Sequence, residues 1–173
     1  MCDSFFGVFM KCLVFSDTHG SSAVMKKALS HHPDAEVVFF LGDGLNDADK
    51  VAKGHSDKAW IAVRGNCDWS AIFKDRETLK VESITLGGHK IVLTHGDLYC
   101  VKYTMGVIKG LAAREGADIM LFGHTHDPLE QYVSDVDHPF YLFNPGTASG
   151  HKGSYGIINI TDSGVLLSHG YGD

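Results

Sequence analysis

An α/β fold is predicted by three features of the 173-residue sequence. Apolar runs of strand length recur, each stopped by a polar loop containing glycine. Segments with helical spacing of apolar residues separate the first of these runs. From Leu129 onward the texture changes to short strands alternating with turns.

Taken in order, "KCLVF" (11–15) reads as a buried strand entering the loop "SDTHG". Val24, Met25, Ala28 and Leu29 then repeat at helical spacing, and Pro33 closes that helix. "EVVFFLGDG" is a second strand, and "NDADKVAKG" a short helix stopped at Gly54. "AWIAVRGNCD" is a third strand. Strand, polar loop and helix thus alternate, which favours a parallel sheet for the first half. "VESITLGGHKIVLTHG" predicts a hairpin turning at Gly87-Gly88. Val101, Met105, Ile108 and Leu111 predict a helix capped by Gly116, followed by the strand "ADIMLF". "LEQYV", "FYLF", "YGIINI" and "VLLSHG" complete a strand-rich end. Without a linker or repeat, the chain reads as one domain.

Hydrophobic residues make up 44% and charged residues 21%, the usual proportions of a globular protein. A net charge of −6 argues against duplex nucleic acid or an anionic membrane as the main partner. Cys2, Cys12, Cys67 and Cys100 form no CxxC pair, so reduced thiols and a cytoplasmic location are expected. Asp3 stands where a signal peptide carries positive charge, and Lys11 breaks the apolar start. No apolar run approaches the roughly 18 residues of a membrane-spanning helix.

The chemistry lies in five loops that each follow a strand: "SDTHG" (Asp17, His19), "GDG" (Asp43), "GNCD" (Asn66, Cys67, Asp68), "THGD" (His95) and "GHTH" (His124, His126). Ligands of open α/β sheets gather beyond the carboxyl ends of strands, so one edge can collect all five. Each loop alone has a bland reading as a turn or cap. His-x-His after a strand is stronger, since alternate residues of an extended segment point the same way. Together the five point to a metal centre.

This order of motifs resembles the calcineurin-like metallophosphoesterases from Lys11 to the C-terminus. The "GNCD" form, the "NPGT" at 144–147 and the small size resemble the YfcE-type phosphodiesterase branch. The resemblance implies two packed mixed β-sheets flanked by helices, a four-layer α/β/β/α sandwich. It also implies that Asp17, His19 and His126 hold one divalent metal, that Asn66, His95 and His124 hold a second, and that Asp43 bridges them. Asp43, Asn66, Cys67, Asp68 and His95 are then the catalytic candidates. Such nitrogen and oxygen donors suit Mn, with Ni, Fe, Co or Zn as alternatives, better than Ca. Two metals sharing a hydroxide would hydrolyse a small phosphodiester by in-line attack. A phosphomonoesterase with the same site is the alternative, as is a scaffold like the retromer subunit of this fold, although all seven ligand candidates are present. Relatives often form dimers or larger homo-oligomers. They also commonly start at a methionine just before the first strand, here Met10, which makes residues 1–9 an appendage unless "FFGVF" packs as an edge strand.

In the wider family a histidine often stands at the position of Cys67 and protonates the leaving oxygen. Cys67 is either a poorer acid in that place or a space-filling residue. Asp68 either caps the turn or orients its neighbours. Arg64 is read as a structural ion pair or a phosphate contact, and "NPGT" as a loop near the site. Asp97 stands where relatives often have another histidine. His31, His32, His55, His89, His138, His151 and His169 read as exposed or helix-end histidines.

Overall fold

In the computed structural model, which describes residues 8–70 and 72–172, two five-stranded mixed sheets pack face to face. The first has the order β12-β11-β1-β2-β3, where β1 is Val8–Phe15, β2 Val37–Phe40, β3 Ala59–Ala62, β11 Ser154–Thr161 and β12 Gly164–Tyr171. β1, β2 and β3 run parallel, joined by the helices α1 (Ala23–His31) and α2 (Leu45–Lys53). The second has the order β6-β7-β8-β10-β9. Here β6 is Val81–Leu86, β7 His89–Thr94, β8 Ile119–Leu121, β9 Leu129–Val133 and β10 Phe140–Asn144. β7, β8 and β10 are parallel, and α3 (Gly106–Glu115) precedes β8.

The four-layer order follows from the alternation of side chains along each strand. Cys12, Val14, Val37 and Phe39 face Ile91, Leu93, Ile119, Leu121 and Phe143 in one apolar layer between the sheets. Their neighbours Leu13, Phe15, Val38 and Phe40 pack instead on Val24, Met25, Leu29 and Leu45 of α1 and α2. Val92, Met120 and Phe122 do the same with Ile108 and Leu111 of α3. Burial on both faces explains why β2 reads as a continuous apolar run rather than an alternating one.

The expected helices and strands form, and Gly116 caps α3 in the left-handed conformation with φ 61°. α3 begins only at Gly106, so Val101 and Met105 pack ahead of the helix, not within it. Besides a 3-10 turn at Asp97–Tyr99, the sequence reading missed a short hairpin of β4 (Ile72–Phe73) and β5 (Arg76–Glu77). Its turn residues Lys74 and Asp75 both have positive φ, and neither is the glycine or asparagine that signals such a turn. Among the described residues no helix is long and apolar enough to cross a membrane, and Cys12, Cys67 and Cys100 are free thiols.

Residues 1–7 of the expected appendage lie outside the described residues. Val8 already pairs with Thr161, with a register shift before Met10 meets Ile160. A chain beginning at Met10 keeps every pair from Met10 onward. It is expected to fold with a melting temperature close to that of the full chain, and a large loss of thermal stability would make the first nine residues part of the core.

Candidate metal centre

Asp17 follows β1, Asp43 follows β2, Asn66 follows β3, His95 follows β7, and His124 and His126 follow β8. All five strands are parallel within their sheets, so their carboxyl ends bring the loops to one edge. Two groups of ligand atoms form there, Asp17–His19–His126 and Asp43–His95–His124, with the atoms of each group within 4.8 Å of one another. Asn66 joins the second through its Oδ1, 3.1 Å from His95 Nε2. The side chains expected to share an ion lie together in these groups, and Asp43, expected between them, lies in the second and also beside His19 and Cys67.

The first group surrounds Asp17, which is fully buried. Its Oδ2 accepts hydrogen bonds from Ser16 Oγ at 2.5 Å and the His124 amide at 3.0 Å. Its Oδ1 is buried without a hydrogen-bond partner, yet faces His126 Nε2 at 3.2 Å and His19 Nε2 at 3.7 Å. Those two imidazole nitrogens are themselves 3.2 Å apart. A buried carboxylate oxygen with no donor is costly unless a cation satisfies it. The donor set therefore fits a divalent ion.

In the second group the buried His95 donates from Nδ1 to the Leu41 carbonyl at 2.8 Å. A carbonyl only accepts, so Nδ1 keeps a proton, and in the neutral ring the Nε2 lone pair is directed at the centre. That nitrogen lies 3.1 Å from His124 Nδ1 and 3.4 Å from Asp43 Oδ2. Burial, followed by the charge that His95 carries when its ring is doubly protonated, lowers the pKa of His124 and favours its neutral, ligating form. Burial by itself would raise Asp43, but His95 and the Cys67 amide outweigh it and hold its carboxyl well below the usual range.

Five of the seven ligand candidates have left-handed backbone: Asp17 (φ 56°), His19 (46°), Asp43 (58°), His124 (70°) and His126 (67°). Non-glycine residues rarely adopt this conformation, and such strain gathers at functional sites. It also corrects the reading of "GHTH" as an extended segment with both rings on one side. The turns at positive φ send His124 to the second group and His126 to the first. Close backbone approach explains two of the glycines. A Cβ on Gly65 would stand 2.0 Å from Asp43 Oδ1, and one on Gly123 would stand 2.0 Å from Ser16 Oγ.

Asp68 does more than cap its own turn. Its Oδ2 accepts from the amides of Asp43 and Gly65, and its Oδ1 from those of Gly44 and Leu45, all at 2.8–2.9 Å. One carboxylate thus ties the "GNCD" loop to the "GDG" loop and the start of α2. Cys67 is exposed and beside the centre. Its amide donates to Asp43 Oδ1 at 2.7 Å, and Asn66 Nδ2 donates to its sulfur at 3.2 Å. His19, Asp43 and Cys67 form a third cluster of possible donors. Hydrogen bonding to Asp43, then burial, raises the Cys67 pKa.

The "NPGT" loop lies near the site as expected, but what its residues and their neighbours hold was not legible in the sequence. Asn144 of "NPGT" donates to the Gly123 carbonyl and to Thr125 Oγ1, each at 3.0 Å, bracing the His124–His126 loop. Thr147 Oγ1 donates to the Asp17 carbonyl at 2.8 Å. His169, read as an exposed or helix-end residue, stacks on Phe143 and bonds the Asn144 carbonyl at 2.7 Å. Asp97 pairs with Lys80 at 2.9 Å, and Lys80 also donates to the Gly65 carbonyl. The ion pair expected for Arg64 is absent among the described residues. Its Nε is buried without a hydrogen-bond partner, and its amide holds the Leu79 carbonyl.

The profile of the calcineurin-like phosphoesterase superfamily domain matches residues 10–163. The probable metallophosphoesterase YsnB of Bacillus subtilis is 33% identical over 80% of this chain and 75% of its own length. The phosphodiesterase YfcE of Escherichia coli is 30% identical over 87% of this chain and 88% of its own. A crystal structure of a predicted phosphoesterase from Streptococcus pneumoniae superposes with a TM-score of 0.75 at 25% identity, covering 95% of this chain and 90% of that one.

Proposed function

Because the chain belongs to the calcineurin-like phosphoesterase superfamily, we propose that its seven clustered side chains hold two divalent cations and that Asp43 bridges them. The protein is a metal-dependent phosphodiesterase acting on small phosphoesters. The observation that carries the dinuclear reading is the buried, unpartnered Asp17 Oδ1 beside one imidazole pair, next to a second cluster on Asp43. Asp17, His19 and His126 hold one ion, and Asn66, His95 and His124 the other. With imidazole, amide and carboxylate donors the favoured ion is manganese, and Ni, Fe, Co and Zn suit the same donors.

Bound divalent cations supply charge stabilisation for the phosphoryl group and acidify water to a nucleophile near neutral pH. The side chains keep that chemistry in register. Leu41 holds His95 in the tautomer that presents Nε2. Asp68 positions the Asp43 backbone, and Asn144 positions the loop of His124 and His126. The test is metal content by mass spectrometry together with hydrolysis of mono- and diester panels. Two ions per chain and metal-dependent diester turnover are expected. One ion or none in the active protein would refute the dinuclear scheme.

A thiol such as Cys67 is a weak hydrogen-bond donor and near neutral pH a poorer acid than an imidazolium. General acid help is typically worth about 10²–10⁴-fold, and it matters most for a basic leaving group. Cys67→Ala should therefore barely change turnover of an aryl diester, whereas Cys67→His should gain activity on esters with poorer leaving groups. Collapse of aryl-diester turnover in Cys67→Ala, with metals and fold intact, would place the thiol in the chemistry.

A further inference from the structure

We propose that the cleft beside the metal centre is a nucleoside subsite, in which Trp69 stacks on the base of a nucleoside phosphodiester. The proposal rests on the phosphodiesterase reading and deepens it by naming the substrate class. The cleft has a volume of about 460 Å³ and runs from His19 and Asp43 past Cys67 to Asn46, Lys50 and Trp69. It therefore opens directly from the candidate reaction site.

The Trp69 indole is fully exposed. The other tryptophan of the chain, Trp60, is half-buried and donates its Nε1–H to the His55 carbonyl. An indole left in water beside a polar cleft offers a flat face to an aromatic group. The polar lining points the same way. Asp47 has its Oδ2 engaged by the Gly20 amide and Thr18 Oγ1, both at 2.8 Å. Asp68 has both oxygens engaged by backbone amides. Lys50 is exposed and has no ion-pair partner among the described residues, whereas Lys53 pairs with Asp49 at 2.7 Å. Asn46 is exposed on the same wall and carries both a donor and an acceptor for a base edge. An aromatic face, a free cation and an amide beside a phosphoryl site match the base, the anionic ester and the polar edge of a nucleotide.

The test compares two esters that share one leaving group: the p-nitrophenyl ester of thymidine 5′-phosphate and methyl p-nitrophenyl phosphate. The metal-loaded wild-type protein should prefer the nucleoside ester in kcat/KM. Base–aromatic stacking predicts that Trp69→Ala lowers that preference roughly 5- to 150-fold, and Trp69→Phe should retain part of it. In parallel, adenosine 5′-monophosphate should quench the tryptophan emission of wild-type protein and leave Trp69→Phe emission unchanged. An unchanged preference in Trp69→Ala, or equal quenching in both proteins, would overturn the subsite. If neither ester is hydrolysed by the wild type, the phosphodiesterase reading fails, while the quenching still decides whether Trp69 receives a nucleotide.

Discussion

Asp43→Ala protein is expected to lose hydrolysis and at least one of the two metals. Each oxygen of this carboxylate has a separate task. Oδ2 lies 3.4 Å from His95 Nε2 at the centre, and Oδ1 receives the Cys67 amide at 2.7 Å. The loss should exceed the ~10–100-fold typical of removing an outer support of a metal ligand, because in the proposed centre this carboxylate is the charge shared between two dications. Asp43→Asn separates the two tasks. It keeps an acceptor for the Cys67 amide but removes the charge, so metal should still be lost while the loop stays ordered. Mass spectrometry of the metals in both variants reads this directly. His126→Ala should weaken mainly the ion on Asp17 and His19, and His95→Ala mainly the ion on Asn66 and His124. Two metals per chain with intact hydrolysis in Asp43→Ala would overturn the bridging assignment.

The second large effect is expected at Asp68, whose side chain is in none of the clusters of possible metal donors among the described residues. Its carboxylate accepts four amide protons from Asp43, Gly44, Leu45 and Gly65. An asparagine has one acceptor oxygen, and its NH₂ would confront amide donors on the other side. Asp68→Asn should therefore cost roughly 2–4 kcal/mol of stability, reduced from a simple sum because the site is partly open to water. It should also weaken metal binding ~10–100-fold, since the Asp43 backbone loses its anchor. Thermal melting in chelator gives the first quantity and metal titration the second. Lost activity at unchanged melting temperature and metal affinity would instead put Asp68 in proton transfer.

Much of this protein is legible one segment at a time. Val24, Met25, Ala28 and Leu29 announce α1 because burial on one side of a helix leaves a period in the sequence. The runs at Val37–Phe40 and Ile119–Leu121 announce strands buried on both faces. Gly87-Gly88 marks the hairpin, and the order of the five loops names the candidate ligands. The grouping of those residues rests on contacts across the fold. His95 meets Asn66 and His124, each 29 positions away, and Asp17 receives the amide of His124 from 107 positions away. Asp68 and Asn144 act through backbone amides and carbonyls of distant loops, and those groups are the same for every residue type. The left-handed φ of Asp17, His19, Asp43, His124 and His126 is imposed by the packing around them, against their own preference. Local sequence thus determined which elements form and which side chains reach the strand ends, because periodicity and turn chemistry are properties of neighbours. Only the tertiary structure decided which ligands meet, which oxygen of Asp17 is left without a donor, and that Trp69 stands open beside them. Those are outcomes of long-range packing, which leaves no period to read.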